Sequence, residues 1–313
     1  MAYQRLSEEI SFFTLDKAIH WKEVLPRMDK VTLKDVQDFG EQFFKKVAVN
    51  MVAYGNIRPE EIKTLPKFLT DSIGAGVLEK PLLEKKERLF RLAPTGKEYT
   101  MVVKGRNNNY AMASLYNMGD WNVADHAKIV LFGQIVAQPY FSELRTNQQL
   151  GYVARSGPTF NKGFIGLTAM LQSPKYPSLE LQQRSHKFLS DLLKKMTETL
   201  TDEEIQPVKS AMVNELLNKP NTLGERFMQF RDSIYNYDGQ FDIRKSVAEE
   251  LKKITAKDLK EFIQKKFFEQ KPATVNFVYY GTGTKIPSKG LPGTTFEKVS
   301  TVKDWVYKDP YKP

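Results

Sequence analysis

Two stretches more than two hundred residues apart repeat one another, and that repeat limits what the chain can fold into. Lys30-Val31-Thr32-Leu33-Lys34-Asp35-Val36-Gln37-Asp38-Phe39 resembles Lys253-Ile254-Thr255-Ala256-Lys257-Asp258-Leu259-Lys260-Glu261-Phe262. In each, a Thr with an Asp three residues later precedes a helical pattern, an acidic form of the capping box that satisfies orphan amides at a helix start. A β-rich run ended by glycine follows each helix: Val49-Asn50-Met51-Val52-Ala53-Tyr54-Gly55 matches Val275-Asn276-Phe277-Val278-Tyr279-Tyr280-Gly281. Lys253 lies 223 residues after Lys30 and Val275 lies 226 after Val49, so the repeating unit is about 225 residues long. Only about thirty residues stand ahead of the first copy, so the expectation is a chain that begins inside a unit, a fragment of a longer protein with Met1-Ala2 as a cloning start.

The 313 residues are 41% hydrophobic and 27% charged, ordinary globular composition with room for one large domain or two of common size. The net charge of +10 comes from 47 basic and 37 acidic residues that are mixed along the sequence. Glu84-Lys85-Lys86-Glu87-Arg88 alternates in sign, whereas a phosphate-binding tract is a single-sign patch with interleaved aromatics, so nucleic acid is not expected as a partner. The absence of cysteine excludes disulfides, thiolate catalysis and cysteine metal sites. Neither a signal-peptide apolar region nor a run approaching the roughly 18 apolar residues of a membrane span occurs, so no membrane partner is expected. The chain reads as soluble; its compartment stays open, with the cytoplasm slightly favoured.

Along the chain the pattern gives a helix over 7–28, a second over 33–46 with Val36, Phe39, Phe43 and Phe44 on one stripe, and a strand at 47–54. Pro59 starts a further helix, and 76–95, with proline and mixed charge, reads as an interdomain linker. Tyr99 to Lys104 and Tyr110 to Asn117, joined by Gly105 to Asn109, read as a hairpin. Val123 to Val136 is apolar around too wide an arc for a surface helix and should be buried against a sheet. Pro139 should interrupt it. Strands follow at Leu150–Ser156 and Phe164–Gln172, with Gly157-Pro158 between them, and then helices at 178–196, 202–218, 223–236, 242–253 and 256–268. The tail over 284–313 should pack back on its domain through Trp305, Tyr307 and Tyr311.

Leu144-Arg145-Thr146-Asn147-Gln148-Gln149-Leu150-Gly151-Tyr152 lies at the junction between the apolar helix and a strand, where a rigid scaffold can present polar groups. Arg145 offers a charged fork of donors and Tyr152 a phenolic donor, a pair suited to gripping a carbonyl or a developing oxyanion. Neither can activate water alone at neutral pH. On local pattern alone a structural reading, Arg145 at a helix C-terminus and Tyr152 in a strand, is preferred. The three histidines, His20, His126 and His186, show no metal-binding spacing, and no His-Glu-x-x-His or its inverse, P-loop, dinucleotide fingerprint or nucleophile elbow occurs.

Phe141-x-x-Leu144-Arg145-Thr146-x-x-Gln149-Leu150-Gly151-Tyr152, followed by Ser156-Gly157-Pro158, resembles the signature of the C-terminal half of the pitrilysin and insulin-degrading-enzyme type of inverzincin metallopeptidases. The resemblance continues through Leu217-Asn218-Lys219-Pro220 and the Thr255 helix start, and reaches back to Tyr54-Gly55-Asn56-Ile57. It implies an α+β fold of metallopeptidase-type units, each an antiparallel-rich sheet packed by helices. Residues 1–75 would then be the C-terminal part of a third homologous unit and 96–283 a complete fourth. It implies a zinc-dependent endopeptidase degrading peptides. The metal and the general base would sit in a missing N-terminal half that closes on the peptide substrate, and this chain would bind no metal and be inactive alone. Arg145 and Tyr152 would then make catalytic contacts to the substrate backbone and oxyanion, with Gln149, Gly151 and Ser156 in substrate binding. The family usually has Glu where this sequence has Gln148, which leaves Arg145 and Tyr152 intact. A non-catalytic scaffold or core subunit of the same fold is the other reading, and a homo-oligomer stays open.

Overall fold

The computed structural model describes residues 1–14, 19–49, 51–77, 89–91, 96–161, 163–237, 239–287, 289–296 and 306–308. In chain order the elements are α1 (Ala2–Thr14), α2 (Trp21–Met28), α3 (Leu33–Phe44), β1 (Lys46–Val47), α4 (Pro59–Ser72), β2 (Gly76–Val77), β3 (Leu89–Arg91), β4 (Glu98–Lys104) and β5 (Tyr110–Gly119). Then come α5 (Val123–Phe141), a π-helical segment (Ser142–Asn147), β6 (Val153–Asn161), β7 (Phe164–Ser173), α6 (Ser178–Thr199), α7 (Asp202–Leu217), α8 (Leu223–Tyr237), α9 (Ile243–Lys253) and α10 (Ala256–Ile263). A second π-helical segment (Gln264–Glu269), β8 (Ala273–Tyr280), β9 (Thr294–Phe296) and β10 (Val306–Lys308) complete the described elements. Most of the expected linker, and Trp305 and Tyr311 of the tail, lie outside the described residues.

The elements fall into two compact units. The larger is built from Met1–Asp16, Arg88–Asn218 and Asp242–Pro313. Its fold is α+β: a six-stranded sheet in the order β6-β7-β5-β8-β4-β9 with helices packed on it. The pairs β6–β7, β7–β5 and β5–β8 are antiparallel, and β8–β4 and β4–β9 are parallel. All eight residues of β8 are buried, as expected for a central strand covered on both faces. On one face α1 inserts Leu6 and Phe13 against Ala113, Leu115 and Phe277, with the Phe13 and Phe277 rings edge to face at 5.6 Å. On the other, α5 packs on β6 and α6 on β5, β7 and β8. That face also carries a satisfied polar row: Ser114 Oγ donates to Asn276 Oδ1 at 2.6 Å and Asn276 Nδ2 donates to Glu98 Oε1 at 2.8 Å. Among the described residues no helix is long and apolar enough to cross a membrane.

Several local expectations are corrected by this topology. β4 and β5 are not a hairpin, because β8, arriving from far along the chain, pairs with both of them. The loop between them crosses the end of β8 so closely that a Cβ on Gly281 would lie 1.8 Å from the Asn107 carbonyl oxygen. Gly157-Pro158 is not a turn but lies inside β6, which is an edge strand, where a proline's missing N–H leaves no ladder bond unmade. Pro139 does not end α5: the helix runs two residues past it and continues into the π-helical segment. The helix expected over 7–28 is two helices, α1 and α2.

The smaller unit comprises Lys17–Glu87 and Lys219–Phe241. Here α3 opens on the expected capping box, with Asp35 accepting from the Thr32 amide at 2.8 Å and Thr32 Oγ1 accepting from the Asp35 amide at 3.2 Å. The strand expected at 47–54 is reduced to β1, paired in parallel with β2. Tyr54 beyond it packs edge to face on Phe230 of α8, ring centres 5.1 Å apart.

Candidate functional site

The site is built where α5 gives way to β6. Asn122 caps α5 by accepting from the Asp125 amide at 2.8 Å, and Ile129, Leu131, Phe132 and Val136 bury the helix. At its end the spacing widens to i→i+5, seen in the Gln148 amide donating to the Glu143 carbonyl at 2.8 Å. Gln149 then takes a left-handed φ of 50°, which turns the chain so that the Leu150 amide donates to the Leu144 carbonyl at 3.0 Å. Leu144 and Leu150 are both buried and pin the two ends of this turn. Gly151 follows with no room for a side chain: a Cβ there would lie 1.9 Å from the Gln172 carbonyl oxygen of β7. Tyr152 therefore leaves the turn at a fixed point, one residue before Val153 pairs with Gln172.

Arg145, on the π-helical segment, is brought to Tyr152. Its guanidinium carbon sits 4.8 Å from the ring centre of Phe141 and 4.9 Å from that of Tyr152. The cation lies within cation–π distance of both aromatic rings, a contact suited to the planar guanidinium. Among the described residues no carboxylate forms an ion pair with it, and Tyr152 is 81% exposed. The pair thus presents a permanent charge and a phenolic hydroxyl to solvent.

A second layer of polar groups fixes the same turn. Glu143 accepts from Asn147 Nδ2 at 2.8 Å and Gln148 Nε2 at 3.0 Å, and these two amides hold its carboxyl below the usual carboxylate range. The Gln148 carbonyl oxygen faces the other way, accepting from Arg184 Nη1 at 3.5 Å. Arg184 in turn pairs with Glu180 at 2.6 Å and lies over the Tyr176 ring. Gln148 can donate to one neighbour and accept from the other at once, which a Glu at this position could not do.

Of the remaining expected residues, Gln149 is exposed beside the pair and Gly151 supplies the close approach. Ser156 is not brought to them. It lies four residues along β6, roughly 13 Å from Tyr152, and its hydroxyl is buried with no hydrogen-bond partner among the described residues. Phe141 had a legible signal, standing four residues before Arg145 on a helix. Arg184 and Tyr176 had none, being far along the chain. Among the described residues no three His, Asp or Glu side chains group as a metal site. His126 is buried, with its Nδ1 accepting from Trp121 Nε1 at 2.9 Å.

The comparisons bear on what this junction is. The family model described as PQQ synthase PqqF-like, C-terminal lobe domain 4, matches residues 131–231, which contain the whole Arg145–Tyr152 turn. The insulin-degrading enzyme of Drosophila melanogaster is 26% identical over 316 residues, covering 97% of this chain and 32% of that protein. The chain is thus similar over most of its length to the insulin-degrading enzyme, and over residues 131–231 to a C-terminal lobe domain. The human insulin-degrading enzyme is 28% identical over 243 residues, 77% of this chain and 24% of that protein. A crystal structure of pitrilysin superposes with a TM-score of 0.77 at 20% identity, covering 93% of this chain and 31% of that one, which shows the shared α+β fold. The chain thus spans about a third or less of the length of these pitrilysin-type relatives.

Proposed function

We propose that this chain belongs to the C-terminal half of a zinc-dependent endopeptidase and supplies the substrate-backbone and oxyanion contacts of an active site completed by an N-terminal half. The observation that carries this reading is the Arg145 guanidinium lying over the rings of Phe141 and of an exposed Tyr152, with no carboxylate partner among the described residues. The kinship with peptide-degrading enzymes supports it. Among the described residues no group of His, Asp or Glu could hold a metal ion, and in this reading the zinc belongs to the N-terminal half.

In this role the chain's own donors act on the scissile carbonyl of an extended peptide. Arg145 and the Tyr152 hydroxyl donate to its oxygen, and as the carbon becomes tetrahedral the charge growing on that oxygen strengthens both hydrogen bonds. The Phe141 ring and the Glu143–Gln148–Arg184 chain keep the donors in place, so little reorganisation is needed when the charge develops. Gln149 and Gly151 lie beside the peptide path, whereas Ser156 contributes only through β6.

The test is reconstitution with the N-terminal half and cleavage of a fluorogenic peptide with and without zinc. Zinc-dependent turnover that Arg145→Ala abolishes is the expected result. Turnover indifferent to Arg145→Ala would instead favour a scaffold role for this half.

A further inference from the structure

The turn that carries Arg145 has a structural double in the same unit. Gln264–Glu269 is π-helical like Ser142–Asn147, and the Gln270 amide donates to the Lys265 carbonyl at 2.9 Å as the Gln148 amide does to that of Glu143 at 2.8 Å. Among the described residues, Gln149 and Lys271 are the two non-glycine residues with a left-handed φ, 50° and 51°. Each stands two residues past its π-helical segment, and both devices are common at functional sites. Phe267 holds the fourth place in its segment, as Arg145 does in the other.

This second turn borders a cavity of about 260 Å³ over the sheet. The floor is one row across three strands: Tyr116 of β5 pairs with Thr274 of β8, and Thr274 pairs with Glu98 of β4. Glu98 is fixed there by the bond from Asn276 Nδ2 to its Oε1 at 2.8 Å. One wall is α6, where His186, Leu189 and Leu193 share a helical face, and the other carries Phe267. The Phe267 and His186 ring centres lie 5.9 Å and 6.5 Å from that of Tyr116. Burial chiefly, with the nearby Glu98 charge adding to it, pushes the Tyr116 phenol up, so the floor's charge is the carboxylate alone. Lys271 is exposed at the rim, where water and salt screen it.

We propose that this cavity binds a small organic ammonium ion with an apolar body, its charge held by the Tyr116 and Phe267 rings and Glu98, its body against Leu189 and Leu193. Aromatic rings attract cations through their negative faces, and a fixed carboxylate of the sheet adds the same preference. A carboxylate on the same body would meet Glu98 instead. The volume falls below the roughly 300–1,000 Å³ of drug-sized sites, so the ligand is small. The cavity shares no residue with the Arg145–Tyr152 turn, and the proposal does not rest on the peptidase reading.

The experiment is an NMR titration of the 313-residue chain labelled at histidine. His20, His126 and His186 are its only histidines, so His186→Ala assigns the signal at the cavity. Phenethylammonium should shift the His186 ring signals saturably and leave those of His20 and His126 in place. Hydrocinnamate, which carries a carboxylate on the same body, should not saturate them over the same range. Glu98→Gln keeps an acceptor for Asn276 and removes the charge, and should weaken phenethylammonium binding on the order of tenfold. His186 signals that phenethylammonium leaves unmoved would overturn the proposal. So would equal affinity for hydrocinnamate, or a Glu98→Gln chain that binds the ammonium ion undiminished.

Discussion

The guanidinium carbon of Arg145 lies 4.9 Å from the centre of the Tyr152 ring, so the two donors of the candidate site are also each other's packing partners. The phenol lies against the cation while the residue itself stays 81% exposed. Replacing Tyr152 therefore removes two things that can be separated. Tyr152→Phe keeps the ring over Arg145 and deletes only the hydroxyl, so in the reconstituted peptidase kcat should fall on the order of 10²-fold with little change in KM. Tyr152→Ala also frees the guanidinium, and should raise KM as well. Steady-state kinetics on the two variants checks this; equal effects would mean the ring does not position Arg145.

Gly151→Ala should displace the whole turn. The added Cβ has backbone, not a flexible side chain, 1.9 Å away at the Gln172 carbonyl, so β7 or the turn must shift. Overpacking against a sheet costs about 1–3 kcal/mol, which a urea midpoint would register. The same variant should lose peptidase activity out of proportion to its lost stability, because Tyr152 is the next residue.

Local chemistry was legible in the sequence and long-range pairing was not. The caps at Thr32 and Thr255 and the buried helix over Val123–Val136 form as their residues dictate, because each depends on neighbours within one or two turns. The hairpin over Tyr99–Asn117 was misread because its middle strand, β8, comes from beyond residue 270, and no local pattern announces an insertion. Residues 47–54 carry a strand's composition without a strand's partners. At the site, Arg145 and Tyr152 stand out as chemistry, but the bond between Gln148 and Arg184 spans 36 residues and can be seen only in the fold.

Gln148→Glu should raise the Glu143 pKa. The amide that now donates to Glu143 would be replaced by a second carboxylate, which removes a hydrogen bond to the charged form and adds a like charge. Arg184 would gain an ion-pair partner, so global stability should change little. Carbon-detected NMR titration of Glu143 in the two proteins reads the shift directly; an unchanged or lowered value would show that Gln148 does not hold this carboxylate.

His126 should make stability depend on pH in the mildly acid range. Burial pushes its pKa down from the ordinary 6.5 to about 4, and with Nδ1 accepting from Trp121 the ring is held neutral. Between those values the unfolded chain binds a proton that the folded one does not. Its contribution is therefore fully present above pH 6.5 and is lost as pH falls toward 4, at about 1.4 kcal/mol per pH unit. Exposed carboxylates add their own slope at the acid end, so the informative quantity is the difference from His126→Gln, which keeps an acceptor for Trp121 and does not titrate. Urea midpoints measured at about pH 7, 6 and 5 should fall more steeply in the wild-type chain than in the variant. Parallel slopes would mean that the folded chain protonates His126 as readily as the unfolded one.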